Sequence, residues 1–173
     1  MVPEIKKILF TTDLSPGSRH AFAYAAAIAA RHNAGLVILH VREEVSPSAT
    51  THLQGFLGEE RWRQLNESQE SQAQQILIGK KREGSVIREA LGEFCETAAA
   101  ELAGCEFTTD EIVVAGGNVV DEILATVESR SCDLVVMGHH VRGKLGEAFL
   151  GSTSRRVLRH CAAPVLMVRL PEA

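Results

Sequence analysis

No run of apolar residues in this chain is long enough to cross a bilayer, which takes about 20 of them. The most apolar helical stretch, Ala21 to Ala30, is short and mostly alanine. The opening residues, Met1-Val2-Pro3-Glu4-Ile5-Lys6-Lys7, lack the apolar segment of a secretion signal. A cytoplasmic protein with no membrane partner is therefore expected. Positive charge is not in excess: 18 Lys and Arg stand against 22 Asp and Glu, a net charge of −4. With no DNA-reading motif either, a nucleic-acid partner is not expected. The four cysteines, Cys95, Cys105, Cys132 and Cys161, contain no C-x-x-C and no metal-ligand spacing, and read as reduced thiols in or near the core.

What is present is the material of one globular domain spanning 1–173. The length supports an apolar core without disulfides or metal, and the hydrophobic content of 45% is ordinary. Ile8 to Thr12 is a β-favouring run ending at Asp13. Ser15-Pro16 reads as an N-cap with proline at the first helical position. Ala21 to Arg31 is strongly helix-forming, and Asn33-Ala34-Gly35 is a stop. Leu36 to Val41 is a second buried strand, completing a βαβ unit whose continuous apolar runs suit parallel strands.

Residues 42–58 read as loop. A polar helix around Trp62 follows, broken at Gly79-Lys80-Lys81-Arg82-Glu83-Gly84. A second helix then carries Ile87, Leu91, Phe94, Ala98 and Leu102 on one face. Glu111 to Ala115 is a third strand, and Asn118 with Asp121 suggests a capping box opening the next helix. Leu134 to Met137 is a fourth strand. A glycine-containing loop leads to Gly151-Ser152-Thr153-Ser154 and a helix, then Pro164 opens a fifth strand at a sheet edge. The fold class is α/β: a doubly wound, five-stranded parallel sheet of order 3-2-1-4-5 with helices on both faces.

In such a sheet the ligand lies outside the carboxyl ends of the strands, where the order reverses. Here that point falls between strands one and four, so Asp13 and Gly138 should share one crevice. An ionised Asp13 only accepts hydrogen bonds, which suits a sugar hydroxyl or a base amino group; it equally fits a turn before Ser15-Pro16. Gly138 would let a ligand approach the backbone. Gly151-Ser152-Thr153 opens a helix whose free N–H groups and dipole favour an anion, although Ser152 or Thr153 could simply cap it. Arg142 and Lys144 are either outer-phosphate contacts or solvated surface charges.

Three sharper motifs fail. Gly138-x-x-x-x-Gly143-Lys144 has P-loop spacing, but Leu145 stands where the magnesium-binding hydroxyl belongs. His139-His140 has no third metal ligand, so no metal site is expected. No catalytic arrangement can be assigned, which leaves at most a slow ATPase.

These residues resemble the universal stress protein family over nearly the whole chain. The resemblance is carried by Ile8-Leu9-Phe10-Thr11-Thr12-Asp13-Leu14-Ser15, by the strand ending His40-Val41, and by Asp133-Leu134-Val135-Val136-Met137-Gly138-His139-His140. Leu150-Gly151-Ser152-Thr153-Ser154 and the close from Val157 to Val168 also match. The ATP-binding branch of that family has Gly, two residues, Gly, nine residues, Gly, then Ser or Thr. Gly138, Gly151 and Ser152 fit, but Val141 replaces the second glycine.

By resemblance, Thr12 and Asp13 contact the sugar or base and the Val41 backbone meets adenine. Met137 and Gly138 line the ribose and phosphate side, with His140 and Arg142 beside them. Gly151, Ser152 and Thr153 bind phosphate. The cofactor implied is ATP or another adenine nucleotide (ADP, AMP), with or without Mg2+, in stress response or signalling rather than fast catalysis. A homodimer through the uncharged strand Val165–Val168 is implied by the family and by the exposed-edge chemistry of that segment. A helical insertion around 50–82 would cover the site or bind an unknown protein partner. The alternative is a nucleotide-independent homodimeric interaction module of the same fold, with Val141 blocking the phosphate site.

Overall fold

The structure, a computed structural model, describes residues 2–42, 58, 79–102, 106–140 and 150–171. In chain order the described elements are β1 (Lys7–Thr12), α1 (Ser18–His32), β2 (Gly35–Arg42), α2 (Gly79–Glu101), β3 (Thr108–Gly116), α3 (Val119–Arg130), β4 (Leu134–His139), α4 (Ser152–His160) and β5 (Val165–Arg169). The strands form one sheet in the order β3-β2-β1-β4-β5, and every pairing is parallel. The expected architecture and order are thus the observed ones.

The alternation along each strand divides the core into two layers. Ile8, Phe10, Leu36, Ile38, Leu134 and Val136 face α1 and α2, packing on Phe22, Ala25, Ile87, Leu91 and Phe94. Leu9, Val37, Leu39, Val135 and Met137 point the other way, onto Val120, Ile123, Val127 and Val157 of α3 and α4. Strands covered on both faces must be apolar at every position, which is why they read as continuous runs. Alanines 21, 25, 26 and 29 of α1 are completely buried, and their small side chains let the helix lie close against the sheet. Phe22 fills the remaining space, edge-on to Phe10, Phe94 and Phe107.

Three local expectations are corrected. α1 starts at Ser18, not at Pro16: Gly17 is its cap residue without a side-chain bond, and Ser15 to Ser18 forms a turn in which Ser18 N–H donates to the Ser15 carbonyl at 2.9 Å. The segment Gly79–Gly84 does not break a helix; it is the first part of α2, which runs unbroken to Glu101. Each helix glycine costs about 1 kcal/mol in propensity, and the buried face of Ile87, Ala90, Leu91, Phe94 and Ala98 outweighs it. The rest of the expected 50–82 insertion, apart from Gly58, lies outside the described residues.

The third correction concerns β3, which begins at Thr108 rather than Glu111 because it carries a bulge. Leu36 pairs with Thr109 but Val37 with Glu111, which leaves Asp110 as the extra residue. A Cβ on Gly35 would fall on the Asp110 carboxylate, so the glycine opening β2 makes room for the bulge.

The helix ends follow their local chemistry. Asn33, with φ of 53°, closes α1 by donating its N–H to the Ala29 carbonyl. Asn118 caps α3, its Oδ1 accepting from the N–H groups of Val120 and Asp121 at 3.0 and 3.3 Å. Cys95 and Cys132 are buried free thiols, and burial pushes both up to about 11. Cys161 is a half-buried free thiol, and Cys105 lies outside the described residues.

Candidate functional site

The switch point of the sheet lies between β1 and β4. Their register pairs Thr11 with Met137, which brings the chain leaving β1 at Asp13 beside the chain leaving β4 at His140. The two meet through side chains: His140 Nε2 is 3.4 Å from Asp13 Oδ2, across 127 positions of sequence. The expected neighbourhood of Asp13 and the end of β4 is present.

The loop after β1 is organised around Asp13 and Leu14. Leu14 has a φ of 61° and is completely buried. A branched residue rarely adopts that conformation; here it turns the side chain into the core while the chain doubles back. Thr12 Oγ1 accepts from Leu14 N–H at 3.0 Å and so holds this turn. On the other side the Thr12 carbonyl lies 2.9 Å from Nδ1 of buried His40. A carbonyl only accepts, so that nitrogen carries the hydrogen, and the end of β1 is clamped to β2.

Asp13 Oδ1 accepts from Ser15 N–H at 2.9 Å and from the Ser18 hydroxyl at 2.6 Å. Asp13 is thus the turn residue that its spacing to Ser15 allows, with a second oxygen left over. Burial around the carboxyl works to raise its pKa, but the donors Ser18, Ser15 and His140 outweigh that, and the group is held below the usual aspartate value. It is an anionic acceptor at neutral pH.

The other sequence-selected residues occupy different kinds of place. Val41 is half-buried near the end of β2, paired with Ala115 and packed against the α3–α4 layer. Met137 is 5% exposed and belongs to that same layer, so its side chain is core. Gly138 pairs with Val168 on β5. A Cβ built on it would come within 2.6 Å of Leu170 Cδ2. The space that its missing side chain leaves is filled by Leu170, not held open. Gly151 is the cap residue of α4, and among the described residues a Cβ there would meet nothing within 4 Å. Ser152, exposed, and Thr153, half-buried, form the first turn of α4, whose cap makes no side-chain hydrogen bond. Arg142, Lys144 and Val141 lie outside the described residues.

Two residues that the sequence reading did not single out matter here. Ser18 holds Asp13, and its only sequence signal is that it stands within a turn of an aspartate. Leu170 donates its N–H to the His139 carbonyl at 3.0 Å and sits between Gly138 and Gly17. Nothing local marks it. Among the described residues no group of three or more His, Cys, Asp or Glu side chains could hold a metal ion. No helix among them is long and apolar enough to cross a membrane.

A doubly wound parallel sheet with the Asp13 carboxylate at its switch point, beside the end of β4, places the chain in the class of doubly wound α/β domains. The profile of the Universal stress protein family matches residues 4–169, and the chain belongs to that family. It is 28% identical over 167 residues to Universal stress protein MJ0577 of Methanocaldococcus jannaschii, covering 95% of this chain and 94% of that one. It is likewise 28% identical over 165 residues to a universal stress protein of Thermus aquaticus, covering 95% and 98% of the two chains. The solved structure of MJ0577 superposes over 99% of this chain and all of its own with a TM-score of 0.61 at 23% identity. A universal stress protein crystallised in complex with cAMP superposes over 98% of this chain and all of its own with a TM-score of 0.58 at 21% identity. At those identities the two structures establish the shared fold.

Proposed function

We propose that this chain binds an adenine nucleotide at the carboxyl ends of β1 and β4 and acts in stress response or signalling rather than in fast catalysis. The observation that carries the reading is the ionised Asp13, presented by a strained loop at the switch point with one carboxylate oxygen toward His140. An acceptor-only group suits sugar hydroxyls or a base amino group. The first turn of α4, capped by Gly151, where a Cβ would meet none of the described residues, suits the phosphates. Thr12 and Val41 border the sugar and adenine, Met137 and Gly138 contribute backbone, and His140 and Arg142 complete the set, with Mg2+ an optional companion of the phosphates. A fold relative that binds cAMP supports adenine as the base.

The same reading makes the protein a cytoplasmic homodimer through β5. Val165, Leu166 and Met167 are only half-buried on this edge strand. The opposite edge is guarded: Arg88 Nε donates to the Ile112 carbonyl of β3 at 3.2 Å, and Glu111 is held by Arg130 through two bonds of 2.8 Å. Charged groups spent on an edge discourage strand pairing there.

Protein purified without added ligand should release an adenine nucleotide on denaturation, or bind ATP by calorimetry with magnesium present. Folded protein that shows neither result refutes the reading. A second reading, an interaction module that binds no nucleotide, rests on Val141 at a glycine position of the family motif. It requires that the native chain bind no ATP and that Val141→Gly create binding.

A further inference from the structure

Asp13 reaches the site already divided. Its Oδ1 is committed to the loop by Ser15 N–H and by the Ser18 hydroxyl, the latter at 2.6 Å. Among the described residues its Oδ2 has only the long His140 contact of 3.4 Å. Ser18 is 3% exposed, so its hydroxyl is spent inside the protein. That hydroxyl has one hydrogen, and the carboxylate takes it. In the 3.2 Å contact between the Ser15 and Ser18 hydroxyls, Ser15 must then donate. A relay results, Ser15 to Ser18 to Asp13, in which each bond polarises the next.

We infer that Ser18 is a positioning residue of the proposed nucleotide site, anchoring Asp13 so that Oδ2 is the oxygen turned to the ligand, a role that rests on the nucleotide reading above. The fold explains why the anchor works. Ser18 is the first residue of α1, and α1 is locked against the sheet by its buried alanines and Phe22. A carboxylate tied to that helix cannot rotate about its own side-chain bonds without breaking a short charge-assisted bond. Without Ser18 only the Ser15 N–H still distinguishes the two oxygens, and the His140 contact is held less firmly. The same hydroxyl is the foremost of the donors that keep Asp13 ionised against burial. His140, from the end of β4, is the one titratable group among the described residues recorded in contact with Asp13; Ser15 and Ser18 are neutral.

The test uses the full chain with Ser18→Ala and Ser18→Thr, ATP with magnesium as the probe, and thermal melts to establish folding. Ser18→Ala should weaken ATP affinity about three- to tenfold, the scale of one lost hydrogen bond, and move the acid limb of binding to higher pH. Ser18→Thr keeps the hydroxyl and should restore both. In ligand-free protein, carbon NMR of the Asp13 carboxyl should show its titration moving up in the alanine variant and back in the threonine one. Should the alanine variant not fold, Ser18→Cys fills the site with a much weaker donor and repeats the comparison. A folded variant whose Asp13 titration matches the wild type overturns the anchoring role; so does unchanged ATP affinity and acid limb. If wild-type protein binds no ATP, the nucleotide reading fails, and the ligand-free titration still decides whether Ser18 holds Asp13.

Discussion

Gly138→Ala should destabilise the fold, and the structure says by what route. The new methyl would lie 2.6 Å from Leu170 Cδ2 and 2.9 Å from both Cδ1 and Cγ. Carbon atoms in contact need about 3.5 Å, so Leu170 must retreat by roughly 1 Å. Its retreat is confined. Leu170 is 4% exposed, and its N–H is tied to the His139 carbonyl. On its other side stands Gly17, where even a Cβ would be 3.3 Å from Leu170 Cβ. Overpacking of this kind costs about 1–3 kcal/mol, and a domain of this size loses roughly 2–4 °C of melting temperature per kcal/mol. Leu170→Ala alone should cost about 2–4 kcal/mol through its cavity. Combined with Leu170→Ala, the Gly138 methyl has space, and its added cost should vanish, giving a coupling of about 1–3 kcal/mol. Urea denaturation of the four proteins measures the cycle. Additive costs, or a Gly138→Ala variant within about 0.5 kcal/mol of wild type, would show that Leu170 is not what requires glycine here. Unchanged stability with lost nucleotide binding would instead return Gly138 to the role of a ligand-approach glycine.

Leu14, buried with φ of 61°, should invert the usual order of substitutions: Leu14→Gly should be at least as stable as Leu14→Ala, by up to about 1 kcal/mol, in thermal melts. Alanine clearly more stable than glycine would contradict the left-handed backbone. Gly151→Ala has an allowed φ of −56°, and its methyl would meet none of the described residues, so it should cost no more than about 1 kcal/mol as a poorer cap. If that folded variant binds ATP as wild type does, phosphate does not approach this face of α4. Glu111 is held below its ordinary pKa of 4.5, first by its hydrogen bonds to Arg130. A depressed carboxyl contributes stability that is present above the unfolded value and lost as pH falls through the folded one. The difference in melting temperature between wild type and Glu111→Gln should therefore shrink on acidification below about pH 4.5; a gap that persists at the lowest pH would assign it to packing instead.

The layout of this protein was legible because it rests on short-range pattern. Five apolar runs separated by helix-forming stretches fix five strands with crossovers. Runs apolar at every position require cover on both faces, which leads to a doubly wound sheet. The turn chemistry of Asn33 and Asn118 is equally local, and both cap where the sequence places them. The start of α1 was not legible, because Ser15-Pro16 is a good helix opening by itself. Asp13 takes the Ser15 N–H and the Ser18 hydroxyl, and the chain spends three residues on a turn instead. Nor was the continuity of α2: Gly79 and Gly84 read as breakers until the buried face beyond them is counted.

The sequence by itself determined the strand order and the meeting of Asp13 with the end of β4, since topology alone puts the carboxyl ends of β1 and β4 side by side. It also determined the misfit at Val141. Tertiary structure decided how the described candidate residues are placed. Met137 became core, Asp13 became a carboxylate with one oxygen bound and one presented, and Gly138 became the notch that receives Leu170. The physical reason is distance along the chain. A glycine looks the same in sequence whether its missing side chain makes room for a ligand or for a leucine 32 residues later. Only the packed molecule distinguishes them.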